Sequence, residues 1–244
     1  MRKDALTARD SSSSGSPSVG PMFDRIAPTY DLLNHLLSLG RDYAWRRKVT
    51  GQLTGAGPLD LLDLATGTGD LLISILRRCP AVGKATGLDI SERMLELCRE
   101  KLRAQGLAQR VELVCADASA VPFSEGTFDV ATMAFGIRNT ANAATTLAEI
   151  HRILKPGGRA VILEFSLPHN RVVRWCYLKY LRSVVPWIGA AISGDKQAYR
   201  YLDESIEGFH QPEAFTSLMR HAGFGEVSVI PLTWGVASIY KGTK

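Results

Sequence analysis

The sequence predicts an α/β protein: a seven-stranded, mostly parallel sheet with helices on both faces and one antiparallel strand near the C-terminus. Three observations carry that prediction. From Leu59 onward, short apolar runs alternate with helical patterns at the rhythm of βαβ units. Within them, Leu61-Leu62-Asp63-Leu64-Ala65-Thr66-Gly67-Thr68-Gly69-Asp70 passes from an apolar strand through a glycine turn into a helix. Finally, only Pro231-Leu232-Thr233 joins the last two strand candidates, too short for a crossover helix, so the final strand must return as an antiparallel hairpin.

The elements follow in order. Residues 1–20, which include Ser11-Ser12-Ser13-Ser14-Gly15-Ser16-Pro17, carry almost no large apolar side chains to offset the entropy of ordering and predict a disordered tail. Residues 21–244 then read as a single domain. At its start, Phe23, Ile26, Tyr30, Leu33, Leu36 and Leu37 recur at mostly helical spacing, which predicts an N-terminal helical cap over 21–50. Strands are expected at 60–65, 84–89, 111–115, 127–134, 159–165, 226–231 and 234–241, and helices near 70–79, 91–105, 143–153 and 211–222. Residues 167–208 interrupt the alternation, and an insertion at the C-terminal edge of an open sheet usually shapes a substrate pocket, here as a lid. The stretch from Arg171 to Val185 puts Arg171, Arg174, Lys179 and Arg182 within roughly 140° of helical arc, with Val173, Cys176, Tyr177, Tyr180 and Val184 opposite. A basic amphipathic helix with Trp175 and Trp187 nearby can lie at a membrane interface, but a lid packing its apolar face on its own domain is the favoured reading.

At 244 residues and 45% hydrophobic content, the chain can bury one extensive core. The four cysteines, Cys79, Cys98, Cys115 and Cys176, show no metal or disulfide spacing, so no metal is expected and reduced thiols in the cytoplasm are. No signal-peptide core and no uncharged run of ~18 residues is present, which predicts a soluble protein. A net charge of +5 would suit an anionic partner, although a mild excess of solvated lysine and arginine is far commoner and is the favoured reading.

The glycine turn is answered by Gly87-Leu88-Asp89-Ile90. Asp89 follows Gly69 by 20 positions, about the offset of a carboxylate that takes a ribose diol. A dinucleotide fingerprint would need a third glycine where Leu72 stands, so a nucleoside without a pyrophosphate fits better. A Rossmann-like parallel sheet closed by one antiparallel strand is the architecture of class I methyltransferases, whose S-adenosylmethionine needs acceptors for the ribose and backbone donors for the carboxylate. Asp89 and the turn from Gly67 to Gly69 supply these. Asp63, beneath the turn, is placed to fix the loop's amides or to face the methionine ammonium. Asp117, at the end of the third strand, is placed to accept from the adenine amino group, with Ala118 presenting its N–H; an ordinary Asx turn is the structural alternative for Asp117. Among five histidines only His35, in the cap, lies where it could matter.

Three stretches resemble the ubiquinone/menaquinone biosynthesis C-methyltransferase family: Met22-Phe23-Asp24-Arg25-Ile26-Ala27-Pro28-Thr29-Tyr30-Asp31-Leu32-Leu33-Asn34 running on to Trp45-Arg46; Phe135-Gly136-Ile137-Arg138-Asn139 with Leu154-Lys155-Pro156-Gly157-Gly158 and Glu164-Phe165-Ser166; and Tyr199-Arg200-Tyr201-Leu202 with Glu204-Ser205-Ile206. The resemblance implies methyl transfer from S-adenosylmethionine to a ring carbon of a polyprenylated quinol. Family cofactor positions match Thr68, Asp89, Asp117 and Ala118. Ala65 departs from the family's wider glycine motif, a change tolerable if that residue keeps negative φ. Ala134 stands where some relatives have a serine at the cofactor.

On this reading the quinol hydroxyl must lose a proton, so that a phenolate feeds electrons into the ring carbon. Arg138, following the fourth strand, is the candidate to stabilise that anion; a surface arginine or a structural ion pair is the alternative. Tyr30, Asn139, Tyr199 and Tyr201 are expected to line the substrate pocket. The acceptor favoured is demethylmenaquinol, with the ubiquinone-pathway benzoquinol as the second choice. No nucleic-acid partner is expected: an RNA methyltransferase would normally carry an Asn-Pro-Pro-Tyr or Pro-Cys motif, and neither is present. A non-catalytic cofactor-binding module remains an alternative, because binding residues alone do not make turnover. The location expected is cytoplasmic, with peripheral contact at the inner face of the membrane left open, as is the oligomeric state.

Overall fold

The computed structural model describes residues 20–53, 57–185, 187 and 204–244. Seven strands, β1 (Leu59–Leu64), β2 (Val82–Asp89), β3 (Val111–Cys115), β4 (Phe128–Ala134), β5 (Leu154–Phe165), β6 (Gly225–Leu232) and β7 (Ala237–Thr243), form one sheet in the order β3-β2-β1-β4-β5-β7-β6. Pairings from β3 through β5 are parallel, and β7 runs antiparallel to both its neighbours. The predicted hairpin is therefore present. Its turn falls later than expected, at Thr233–Gly235, because Leu232 still pairs with Ala237. Pro231, which cannot donate to a ladder, sits on the outermost strand, where its missing N–H costs nothing.

Strand alternation explains why helices cover both faces. Leu61, Val130, Val161, Leu163 and Ile239 point to one side; Leu62, Leu64, Ala131, Met133, Ile162 and Tyr240 point to the other. On the first side pack α2 (Arg41–Thr50), α3 (Asp70–Arg78) and α4 (Glu92–Ala104), through Trp45, Val49, Leu72, Ile75 and Leu102. On the second pack α5 (Ala143–Ile153) and, after α6 (Arg171–Ser183), α7 (Pro212–His221), through Leu147, Ile150, Phe215 and Met219. Side-chain caps set the starts of three helices: Ser91 Oγ accepts from the Met94 N–H at 3.1 Å, and Asn142 and Asn170 do the same for α5 and α6.

The cap is helical as predicted, with α1 (Gly20–Leu37) joined to α2 by a turn in which Leu39 and Gly40 both have positive φ. The tail expected over 1–20 lies outside the described residues apart from Gly20, which begins α1. Tyr199 and Tyr201 also lie outside them. In the insertion, α6 buries Leu181 and packs Tyr177, Leu178 and Tyr180 with Leu167, Val185 and Ile206. The predicted apolar side is thus corrected: Cys176 and Val184 are exposed, because Tyr177, Leu181 and Val185 at i, i+4 and i+8 set the buried seam.

Candidate functional site

Strand order reverses between β1 and β4, so their C-terminal ends part and leave a crevice where an open α/β sheet binds ligands. The loop leaving β1 is shaped by its glycines. Gly69 has φ +86°, and a Cβ there would lie 2.5 Å from Cys98 Sγ, so no other residue fits. Ala65 adopts φ +48°, correcting the expectation of negative φ: alanine holds a left-handed conformation where glycine would be unstrained. Its Cβ leaves no room at Gly136 on the neighbouring loop, where a second Cβ would come within 2.6 Å.

Asp63 lies under this loop, fully buried. Thr66 donates its hydroxyl to Oδ2 at 2.7 Å and Thr132 donates to Oδ1 at 2.6 Å, so both carboxylate oxygens serve hydroxyls of the loop and of β4. The expected bonds to loop amides are replaced by these. Burial raises its pKa to about 6 against the pull of the two hydroxyls.

At the end of β2, Asp89 accepts from the Gly67 N–H at 2.8 Å and from the Ser91 N–H at 2.9 Å, clamping the glycine turn to the start of α4. Burial raises its pKa, with the amides opposing. An ionised carboxylate has about four lone-pair sites, so acceptor capacity is left for a diol. Asp117 forms the Asx turn, taking the N–H and the hydroxyl of Ser119 on Oδ1 at 2.7 and 2.8 Å, with no donor to Oδ2 among the described residues. The N–H groups of Thr68 and Ala118 have no acceptor among the described residues. The crevice thus offers open amides on the turn and beside Asp117 as donors, with the Asp89 carboxylate between them as an acceptor.

The cap closes over this set. Tyr30 lies on the glycine turn, its Cε1 3.9 Å from where a Gly67 Cβ would stand, and burial raises its phenol pKa while the Arg138 charge lowers it. Lys101 ties cap to turn: its Nζ reaches Asp31 Oδ2 and Asp70 Oδ1 at 2.6 Å and Thr68 Oγ1 at 3.0 Å, while Thr68 donates to Asp31 at 2.5 Å. Ser91 similarly donates to Asp24 of α1 at 2.5 Å. His35, Asp42 and Asp70 converge closely enough to suggest a metal site. Cations already occupy it: Arg46 pairs with Asp42 and lies 3.7 Å from Asp70, which Lys101 also holds.

Beside the turn, the ends of β4 and β5 build the last part. Arg138 Nη1 donates to Glu164 Oε1 at 2.5 Å and to the Phe135 carbonyl at 2.8 Å, and its guanidinium carbon sits 5.1 Å from the Phe165 ring centre. Glu164, fully buried, also accepts the N–H groups of Phe165 and Arg138, at 2.8 and 3.3 Å. Arg138 Nε is buried and has no acceptor among the described residues. Asn139 donates to the same Phe135 carbonyl at 3.1 Å. Trp45, Phe135 and Phe165 pack together as an apolar wall.

The crevice therefore gathers Tyr30, Asp63, Gly67, Thr68, Gly69, Asp89, Asp117, Ala118, Arg138 and Asn139 around the ends of β1 to β4. Sequence reasoning missed Glu164 and Lys101 as site residues. Glu164 stood out in the sequence only as part of the Glu164-Phe165-Ser166 stretch that carries the family resemblance, with no role attached, and nothing local distinguished Lys101 from other helix lysines.

Comparison with known proteins adds three findings. Residues 11–244 match the model of the ubiE/COQ5 methyltransferase family. A demethylmenaquinone methyltransferase of Thermus thermophilus is 46% identical over 223 residues, covering 91% of this chain and 100% of the relative. The ubiquinone/menaquinone biosynthesis C-methyltransferase UbiE of Geotalea uraniireducens is 44% identical, covering 91% and 94%. Among solved structures, an S-adenosylmethionine-dependent methyltransferase of Thermotoga maritima superposes with a TM-score of 0.66 at 21% identity, over 92% of this chain and 99% of that one. That likeness concerns the fold, which is the one the sequence predicts.

Proposed function

The chain belongs to the ubiE/COQ5 methyltransferase family, and on that premise we propose that it methylates a ring carbon of a polyprenylated quinol, demethylmenaquinol being the favoured acceptor. S-adenosylmethionine, when bound, supplies a methyl group already activated on a sulfonium. The chain's own work is to orient the acceptor carbon in line and keep water out, and orientation of this kind can be worth ~7–11 kcal/mol. The Thr68 and Ala118 amides, Asp89 and Asp117 would hold the cofactor. The Trp45–Phe135–Phe165 wall would face the quinol rings.

Arg138 carries the reading of the chemistry. Its charge is fixed by Glu164 beside the glycine turn, and its buried Nε–H lacks an acceptor among the described residues, so a quinol oxygen that becomes anionic would find a preorganised donor there. Tyr30, whose phenol feels the Arg138 charge, and Asn139, on the same carbonyl as Arg138, would bound the ring. We assign the benzoquinol of the ubiquinone pathway as the second acceptor, because relatives named for both pathways align over nearly their whole length. No helix among the described residues is long and apolar enough to cross a membrane, so a lipid acceptor would be reached by peripheral contact.

The test is incubation of purified protein with radiolabelled methyl donor and each demethylated quinol, reduced in situ. Label should enter the lipid extract, fastest with the naphthoquinol. Arg138→Lys should lower turnover more than tenfold while calorimetry shows cofactor affinity unchanged. Label in neither lipid would remove the proposed reaction, and full turnover in Arg138→Lys would remove the assignment of that residue.

A further inference from the structure

We propose that the protein docks on an anionic phospholipid surface through a tryptophan rim built from the β6–β7 turn and the outward side of α6. Of the four tryptophans, Trp45 is buried, whereas Trp234, Trp187 and Trp175 are 80%, 81% and 62% exposed. An exposed tryptophan is costly in water and favoured at a lipid headgroup boundary, where its ring is half apolar and its N–H stays wet.

The turn that presents Trp234 is strained and rigid. Thr233 and Trp234 have φ of +45° and +56°, a conformation that a β-branched and a bulky residue seldom adopt and that persists only where surroundings enforce it. The enforcement is visible: Trp45 Nε1–H donates to Thr233 Oγ1 at 2.8 Å, and Ser166 donates its hydroxyl to the Gly235 carbonyl at 2.9 Å and its N–H to Val236 at 3.0 Å. Three bonds thus hold an indole out into solvent, on a hairpin whose core pairing does not use it.

The same turn abuts the lid. A Cβ on Gly235 would stand 3.3 Å from Pro168 Cα, in the loop that enters α6. α6 presents Val172 (71% exposed) opposite the buried Leu181, and Trp175 on the adjoining exposed flank, with Lys179 Nζ 5.1 Å from the Trp175 ring centre. Arg171 and Arg174 are exposed on this helix, and no Asp or Glu occurs from 171 to 185. Arg182 is already held by Glu207, at 2.7 Å, which leaves Arg171, Arg174 and Lys179 without an acidic partner among the described residues. Apolar rings interleaved with these cations match acidic headgroups in charge and in polarity, whereas protein interfaces are depleted in lysine. The β6–β7 turn and the loop that enters α6 both lie at the C-terminal ends of the parallel strands, the edge of the sheet where the crevice opens. Docking there rests on the lipid-quinol reading for its purpose, although the geometry stands without it.

Flotation of the full chain with vesicles that contain no quinol separates the two ideas. Wild type should bind phosphatidylglycerol/phosphatidylcholine vesicles and bind pure phosphatidylcholine more weakly. Trp175→Ser/Trp234→Ser should cut the partition coefficient at least tenfold, with melting temperature and cofactor uptake by calorimetry unchanged. Brominated lipids should quench wild-type tryptophan emission. Absence of wild-type binding, equal binding to both compositions, or undiminished binding of the double variant would each overturn the proposal. Tryptophan-dependent binding by a protein that methylates neither quinol would uphold docking and refute only the reaction.

Discussion

Replacing Glu164 by glutamine tests how the Arg138 guanidinium is held. The carboxylate is fully buried and gathers three donors: Arg138 Nη1 at 2.5 Å, the Phe165 N–H at 2.8 Å and the Arg138 N–H at 3.3 Å. Glutamine keeps the volume and, through its carbonyl, the two shorter bonds; its amide nitrogen then faces the Arg138 N–H, donor against donor. What disappears is the negative charge. Leaving one partner of a buried ion pair uncompensated costs about 3–5 kcal/mol. Because the shape and two bonds survive, the lower end applies, about 3 kcal/mol, which for a domain of this size lowers the melting temperature by roughly 6–12 °C. Turnover should fall at least tenfold, because Arg138 loses the group that aims it, while cofactor affinity stays within about twofold, since Glu164 touches none of the turn. The Arg138→Met/Glu164→Met pair should be more stable than Glu164→Met alone, as apolar residues replace both charges together. Calorimetric melting and single-turnover methyl transfer read the two effects. Wild-type turnover in Glu164→Gln would refute the positioning role, and a double variant no more stable than the single would refute the ion-pair coupling.

Three further outcomes follow from the site's geometry. Asp63 has a folded pKa near 6 against an ordinary 3.8, so its stabilising neutral form is fully present below about pH 3.8 and is lost as pH rises through 6. That gap corresponds to about 3 kcal/mol; Asp63→Asn should therefore gain by up to about that amount relative to wild type between pH 4 and pH 7 in denaturant titrations, and a difference independent of pH would contradict the burial. Ala65→Gly relieves a left-handed Cβ worth ~1–2 kcal/mol but loosens the unfolded chain by ~0.4–1 kcal/mol, for a net gain of about 0.5–1 kcal/mol; a lower melting temperature would show that the Ala65 methyl matters more as packing. Lys101→Met removes the ties from α4 to Asp31, Thr68 and Asp70, so amide exchange in α1 should quicken at least tenfold with α5 unchanged, and equal protection would mean that other contacts hold the cap.

Periodicity in the sequence determined the sheet, because strands buried between two helical layers are mostly apolar; β1, β4 and β5 read out as strands for that reason, although each also buries a polar residue, Asp63, Thr132 or Glu164. The glycine turn and Asp89 were legible because backbone φ and a fixed offset along the chain are local properties. Ion pairing was not. Arg138 and Glu164 meet because β4 and β5 are neighbours whose ends coincide, and Lys101 reaches Asp31 because α1 folds back over α4; no spacing along the chain encodes either meeting. The buried seam of α6 and the conformation of Ala65 were likewise decided by what packs against them, Leu167 and Ile206 in one case and the Gly136 loop in the other. Local chemistry thus fixes which face of each element seeks the core, while the partner of a buried charge depends on which elements the sheet order sets side by side.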